Sequence, residues 1–450
     1  MLEVLKDDEL FESFKTQSIR RRRISQLLNR VMNGEFRHKE LFPMTEIDSV
    51  SLAAKYMRKL FRGKGRLHYK LILDHYFDCV NSTYQFFKKG KKGKTRKYRL
   101  KDWVVNGYMD FYRDTTPFDL TYFSGRDVTP LESIPSNAVY DLDKGGNPRA
   151  STFILPPTIE VNLENINKTI DGLENYMPMV ALRRKKQRTL IHLYQWRKAL
   201  HNTLTPNKIV QLYRESDSGR LSPPSGMNFP NIINAPSKVR EVMFSDMGLV
   251  SYDMANAHFS VFNGLCNNLG MKCKNLEKYL ANKVELREEW SEKYWVRKKP
   301  LKQYLISWLY GNGNNAIQEN PLYKKVGEEG MVGINQDPTL SGIYKEIVKG
   351  RKLIVEAQRN QSTITNILGK TAPTKTLAKD LCFLLFGYET MIMQEVNSLI
   401  GSDMICYIYD GWIGRKMDVE KIQNAVNKKL NLNITFDEEP IILPTPKELC

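Results

Sequence analysis

The stretch "MICYIYDGWIGRK", Met404 to Lys416, sets one acidic residue, Asp410, in a run that otherwise has the β-branched and aromatic content of a buried strand. Gly411 directly after it marks a turn, so Asp410 is expected at a strand end. A charge there is disfavoured unless something takes it up. A second run, "GLVSYDMANAHFSVF", has the same form: "LVSYD" and "MICYIYD" are both short β-rich runs ending on an aspartate preceded by tyrosine. If the two strands are neighbours, Asp253 and Asp410 meet. Two adjacent carboxylates repel each other unless cations lie between them, and Mg²⁺ takes hard oxygen ligands of this kind while keeping positions for water and phosphate oxygens. Paired ions can clamp the attacking and leaving oxygens of a phosphoryl transfer. An aspartate at a strand-turn junction is more commonly a turn former, so the pair alone leaves both readings open.

The bulk of the chain points the same way. Its 450 residues are enough for about three domains, and 41% hydrophobic residues suffice for real cores. The 68 Lys plus Arg against 50 Asp plus Glu leave +18, with the surplus clustered, which favours a polyanionic partner and nucleic acid first. No run of about 18 apolar residues spans a bilayer, the basic segments carry aromatics, and the N-terminus has acids where a signal peptide has bases; no membrane partner and a cytoplasmic location are expected. Six cysteines without a CxxC pair and six scattered histidines support neither a disulfide framework nor a zinc site.

Residues 1–150 are the most basic part. Ile24, Leu27, Leu28 and Val31 have amphipathic helix spacing behind the Arg20 to Arg23 cluster, with Gly34 placed to stop the helix. Eight bases fall between Lys88 and Arg99, among them Lys88, Lys89, Lys91, Lys92 and Arg96, between aromatic flanks; this looks like a hairpin or loop reaching toward phosphates, or a solvated basic loop. From about 150 to 215 the signals are helical, with Leu190, Leu193, Tyr194 and Trp196 on the apolar side. A Pro- and Gly-rich loop follows, then the Asp253 strand, then a mostly helical stretch to about 400.

In "PLKQYLISWLYGNGNN" the residues Leu301, Tyr304, Leu305, Trp308 and Leu309 form the core stripe of a helix. Lys302, Ile306 and Tyr310 fall at i, i+4 and i+8 beside it, giving a lysine, a flat apolar surface and a tyrosine along one face. Such a face suits a triphosphate at one end and a base and sugar at the other. Pro300 suits the first turn and places Lys302 near the helix N-terminus, where anions are favoured.

The order "SGRLS…NI…R", a strand ending in Asp with "DMANAH", a Lys with Tyr-Gly eight residues later, and "YD" after a long helix resembles the palm and fingers of family A DNA polymerases, the bacterial DNA polymerase I group, and more distantly the single-subunit phage RNA polymerases. The likeness spans roughly residues 212 to 415, about half the chain, and "NILGK" at Asn366 to Lys370 resembles a further small-Gly-basic element. The resemblance implies an α+β protein of right-hand architecture, with a small antiparallel palm sheet, helical fingers and thumb, and a basic N-terminal domain. Its parts would be 1–150, a nucleic-acid-binding or accessory domain; 151–215, thumb-like helices; 216–274, the first palm segment; 275–380, the fingers; and 381–450, the second palm segment.

It also implies roles. Asp253 and Asp410 would bind two Mg²⁺ ions, or Mn²⁺ in their place, with the Met254 carbonyl as a further ligand. Lys302 would neutralise the triphosphate, Tyr310 would close the pocket beside the sugar, and Ile306 would lie under the base. Arg220 would reach the primer terminus. Several positions depart from the family. His258 stands five past the first Asp, where the DNA polymerases have Glu; its bulk should obstruct a ribose 2′-hydroxyl, so dNTPs are expected. Tyr409 replaces a His, and Gly411 replaces an acid. The basic residue one turn before Lys302 falls at Lys298, but Pro300 intervenes, leaving Arg297, Lys298 and Lys299 interchangeable. No DxE start of a proofreading exonuclease stands out.

The expected activity is template-directed DNA synthesis by a compact phage- or plasmid-type polymerase, using a DNA template, with or without a primer, and nucleoside triphosphates. A replication or transcription partner would bind the N-terminal domain. A small phage-type RNA polymerase or primer-making enzyme is the alternative, and a non-catalytic DNA-binding replication initiator is the second.

Overall fold

The computed structural model describes Asp8, Ile24, Leu27, Leu28 and residues 50–51, 69–79, 97–114, 121–123, 128–130, 140–142, 148–150, 153–156, 158–179, 182–201, 207–223, 230–313 and 323–450. It is a helix-rich α+β protein with several small sheets. The chain divides into two units that interleave along the sequence: Met1–Pro117, Asn167–Lys198 and Thr445–Cys450 form one, and Phe118–Ile166 and Ala199–Pro444 form the other. The segment 151–215 is thus split between them.

In the first unit Ile24, Leu27 and Leu28 are helical and fully buried, as their spacing requires. Strands Phe77–Cys79 and Lys97–Leu100 pair antiparallel on either side of the basic run, while Lys88, Lys89, Lys91, Lys92 and Arg96 lie outside the described residues. The helix Arg183–His201 buries Leu190, Leu193, Tyr194 and Trp196. Thr189 on that helix donates to the Leu449 carbonyl at 2.9 Å, tying the C-terminal end into this unit.

The second unit contains a hairpin of β1 (Leu212–Glu215) and β2 (Leu221–Ser222). β1 also pairs with Tyr140–Leu142, and in parallel, so not every small sheet is antiparallel. Tyr140–Leu142 pairs antiparallel with Pro148–Ala150 as well. Next come β3 (Leu249–Met254), α1 (Ala257–Asn268), α2 (Lys283–Lys293), α3 (Lys298–Leu309), α4 (Pro338–Gln358) and the long α5 (Leu377–Ile400). Strands β4 (Met404–Ile408), β5 (Gly411–Arg415) and β6 (Phe436–Pro440) complete a four-stranded antiparallel sheet in the order β4-β5-β3-β6.

That order corrects one expectation. β3 and β4 are not direct neighbours, because "GWIGR" folds back as β5 and takes the place between them. Along β3 the burial alternates with the pleat: Val250, Tyr252 and Met254 are buried and Asp253 faces the open side. Tyr252 stacks on Trp412 at 4.7 Å, and Phe436 meets the Trp412 edge, so the hidden face is an aromatic layer.

A second correction concerns the stretch expected to be helical to about 400. Residues Arg359–Asn360, Thr363–Thr365 and Thr371–Pro373 form a three-stranded antiparallel sheet. The β-branched run "TIT" and the turn at Gly369 (φ 72°) carry that preference.

Candidate active site

Asp410 sits in the two-residue turn between paired Ile408 and Gly411, and Gly411 pairs in turn with Asp253 on β3. The Met254 N–H donates to the Asp410 carbonyl at 2.8 Å, which brings the backbone after Asp253 against the turn. A Cβ on Gly411 would lie 2.3 Å from the Tyr252 carbonyl, so only glycine allows the strands to approach this closely. Tyr409 is held at φ 53°, a left-handed conformation that a bulky residue adopts only when its surroundings impose it. The structure therefore brings the two sequence-predicted carboxylates together at one end of the sheet.

Burial, then the Asp410 charge, pushes the Asp253 carboxyl up to about 7; Lys302 pulls the other way, while Asp437 and Glu439 on β6 add to the rise. Protein surrounds Asp253 on most sides, yet its side chain is open to solvent, so water screens part of this effect. Burial, then the Glu389 charge, also raises the Asp410 carboxyl, with His258 and Arg220 opposing. A carboxyl whose folded value lies above its unfolded value of about 3.9 contributes full stability below that lower value and loses it as the pH rises through the folded one. Asp253→Asn is therefore expected to raise the thermal midpoint of the metal-free protein near pH 8 by roughly 1–3 °C, the gap closing as the pH falls below about 4. Differential scanning calorimetry reads this, and an unchanged or lowered midpoint near pH 8 would show that the pair is not under electrostatic strain.

Glu389, which sequence reading did not single out, organises the rest. It lies on α5 with its side chain 1% exposed; Oε2 meets His258 Nε2 at 2.9 Å and Oε1 meets Arg220 Nε at 2.8 Å, the latter as a close ion pair off hydrogen-bond geometry. The other His258 nitrogen, Nδ1, meets the Tyr310 hydroxyl. Arg220 leaves its hairpin to lie over Tyr409 at 4.0 Å and Phe386 at 4.7 Å. Arg220, Glu389, His258 and Tyr310 thus form one connected line beside Asp410. The only sequence sign of Glu389 was an acid on the apolar face of a long helix.

The turn "NILGK" braces this line. The Asn366 side chain accepts from the Leu368 and Lys370 N–H groups and donates to the Ser218 carbonyl at 2.8 Å, while Lys370 pairs with Glu215 at 2.9 Å. Both ties fix the β1–β2 hairpin that carries Arg220.

Pro300 lies in the first turn of α3, as expected, with Arg297 at the N-cap. A cleft of about 440 Å³ opens between α2 and α3, lined by Arg287, Lys298, Lys299, Lys302, Gln303 and Ile306. Lys298 is paired with Glu288 on α2. Arg287 is a further addition to the sequence reading: its Nε donates to the Tyr279 hydroxyl at 2.7 Å and one Nη to Asn256 Oδ1 at 2.6 Å, linking the cleft to the turn after β3. Tyr310 caps the C-terminal end of α3 at 37% exposure. The cationic cleft, the carboxylate pair and the His258–Tyr310 contact thus belong to one unit of the chain.

Two carboxylates and a neighbouring backbone carbonyl are hard oxygen donors and suit a divalent cation of the Mg²⁺ type. The described residues hold no cluster of three or more His, Cys, Asp or Glu side chains placed for a metal. No described helix is long and apolar enough to cross a membrane.

No family model matches the sequence, and no curated protein matches it. Among solved structures, the POL domain of Pol1 from M. smegmatis, in complex with DNA primer-template and dNTP, is similar over 62% of this chain and 66% of that chain, just under two thirds of its length. The identity is 11% and the TM-score 0.40, a likeness too slight to argue from.

Proposed function

We propose that the chain is a template-directed nucleotidyltransferase, a compact DNA polymerase of phage or plasmid type with the right-hand arrangement, adding dNTPs by two-metal phosphoryl transfer. The observation that carries this reading is the convergence of Asp253 and Asp410, far apart in the chain, at one sheet end within electrostatic reach of Lys302. Two carboxylates facing a lysine beside a cationic cleft form an arrangement that binds and orients a polyphosphate. Divalent ions held by Asp253, Asp410 and the Met254 carbonyl would neutralise charge developing on the transferred phosphoryl group.

The chain's own groups supply the rest. Lys302 offsets triphosphate charge, Ile306 offers an apolar surface to a base, and Tyr310 and His258 stand beside the sugar. His258 is fastened at both ring nitrogens, which keeps it from swinging aside for a 2′-hydroxyl and favours deoxyribonucleotides.

Incorporation of labelled dNTPs and rNTPs, on primed and unprimed templates with Mg²⁺, tests the proposal. Synthesis from rNTPs alone would transfer it to the RNA polymerase or primer-making reading. No synthesis from either, with DNA binding intact, would leave a replication initiator. Lys302→Ala is expected to lower incorporation by roughly 10²-fold, chiefly through the nucleotide KM, with template binding unchanged.

A further inference from the structure

Trp295 stands between α2 and α3 with its side chain 93% exposed, whereas Trp196, Trp290, Trp308 and Trp412 are buried at 1% or less. Its neighbours do not share that exposure. Tyr294 is buried and donates to Asp337 Oδ2 at 3.0 Å, and Val296 is 3% exposed. The corner is closed by hydrogen bonds from Trp295 N–H to the Glu292 carbonyl at 3.3 Å and from Val296 N–H to the Ser291 carbonyl at 3.1 Å. That pair is the Schellman closure of a helix, and Trp295 occupies the position where helices ordinarily place glycine, at φ 51°. An indole at a backbone position suited to glycine, held outward by two buried neighbours, has no part in the core and is aimed at something outside.

Charge says what. The acids of this corner, Glu288, Glu289 and Glu292, precede Trp295 on α2, and exposed bases follow it at Arg297, Lys298 and Lys299. Lys298 and Lys299 also line the cationic cleft. Arg297 and Lys299 form no ion pair among the described residues. A flat aromatic face followed by cations suits an unpaired base stacked on the indole with its phosphates on the basic side. Bases inside a duplex are already stacked on both faces, so duplex interior does not fit.

We propose that Trp295 is a stacking platform for single-stranded nucleic acid, with Arg297 and Lys299 as its phosphate contacts. This holds whether or not Asp253 and Asp410 carry out chemistry. The test is anisotropy of a short labelled oligothymidine and of a duplex of equal length, titrated with the full chain and its variants across a salt series. Trp295→Ala is expected to weaken oligothymidine binding roughly tenfold, leave duplex binding within about twofold and leave the salt slope unchanged. Trp295→Phe should keep most of the affinity. Trp295→Gly should lose it while melting at or above the wild-type temperature, because glycine fits the left-handed position. Oligothymidine affinity unchanged in Trp295→Ala, an equal loss on duplex, or a lowered melting temperature in Trp295→Gly would each overturn the proposal.

Discussion

Asp410→Asn is expected to reduce nucleotide incorporation by roughly 10³-fold or more while DNA affinity stays within about twofold. Asparagine has the shape of aspartate, so the two-residue turn between Ile408 and Gly411 and the 2.8 Å bond from Met254 to the residue-410 carbonyl are retained. What is lost is one of two negative charges, and a lone carboxylate on Asp253 faces Lys302 without its partner. In the proposed function a divalent cation held against a triphosphate needs the paired charge, whereas affinity for nucleic acid would come from cations elsewhere in a chain of net charge +18. Single-turnover incorporation with saturating Mg²⁺, set beside an equilibrium binding curve, separates the two. Activity within tenfold of wild type would remove the carboxylate pair from the chemistry.

Glu389→Ala is expected to destabilise the protein by roughly 3–5 kcal/mol and lower the melting temperature by roughly 5–8 °C. One carboxylate, 1% exposed, partners both Arg220 and His258. Removing it leaves a guanidinium, only 20% exposed and enclosed by the rings of Phe386 and Tyr409, without its direct ion-pair partner and with Asp410 as a more distant counter-charge. Glu389→Gln keeps one acceptor and should fall between. A melting temperature within about 2 °C of wild type for the alanine variant would mean that solvent reaches Arg220 and replaces the ion pair. Both predictions concern one small region, and they read different properties: Asp410 sets charge at the open end of the site, and Glu389 holds the residues behind it.

Much of this was legible along the chain. A tyrosine-aspartate step closing a β-rich run places the acid at a strand end, because alternation buries Tyr252 and turns Asp253 to the other face. The spacing of Lys302 and Ile306 put both on one helix face, and both line the same cleft. Local periodicity suffices for such statements, since each depends on residues within a few positions of one another. The small sheet at 359–373 was missed although its β-branched residues announce it, because flanking helices dominated the local pattern.

The sequence by itself determined which residues are acidic, basic and aromatic at strand and helix ends, and hence the kind of chemistry available. Tertiary structure alone decided which of them meet: that β5 lies between β3 and β4, that Glu389 on α5 joins Arg220 to His258, and that His258 reaches Tyr310 on another helix. These contacts join residues up to 169 positions apart, as with Arg220 and Glu389. Propensity and periodicity act over a turn or a strand, whereas such pairings arise when apolar faces pack and the buried charges must find partners where packing leaves them.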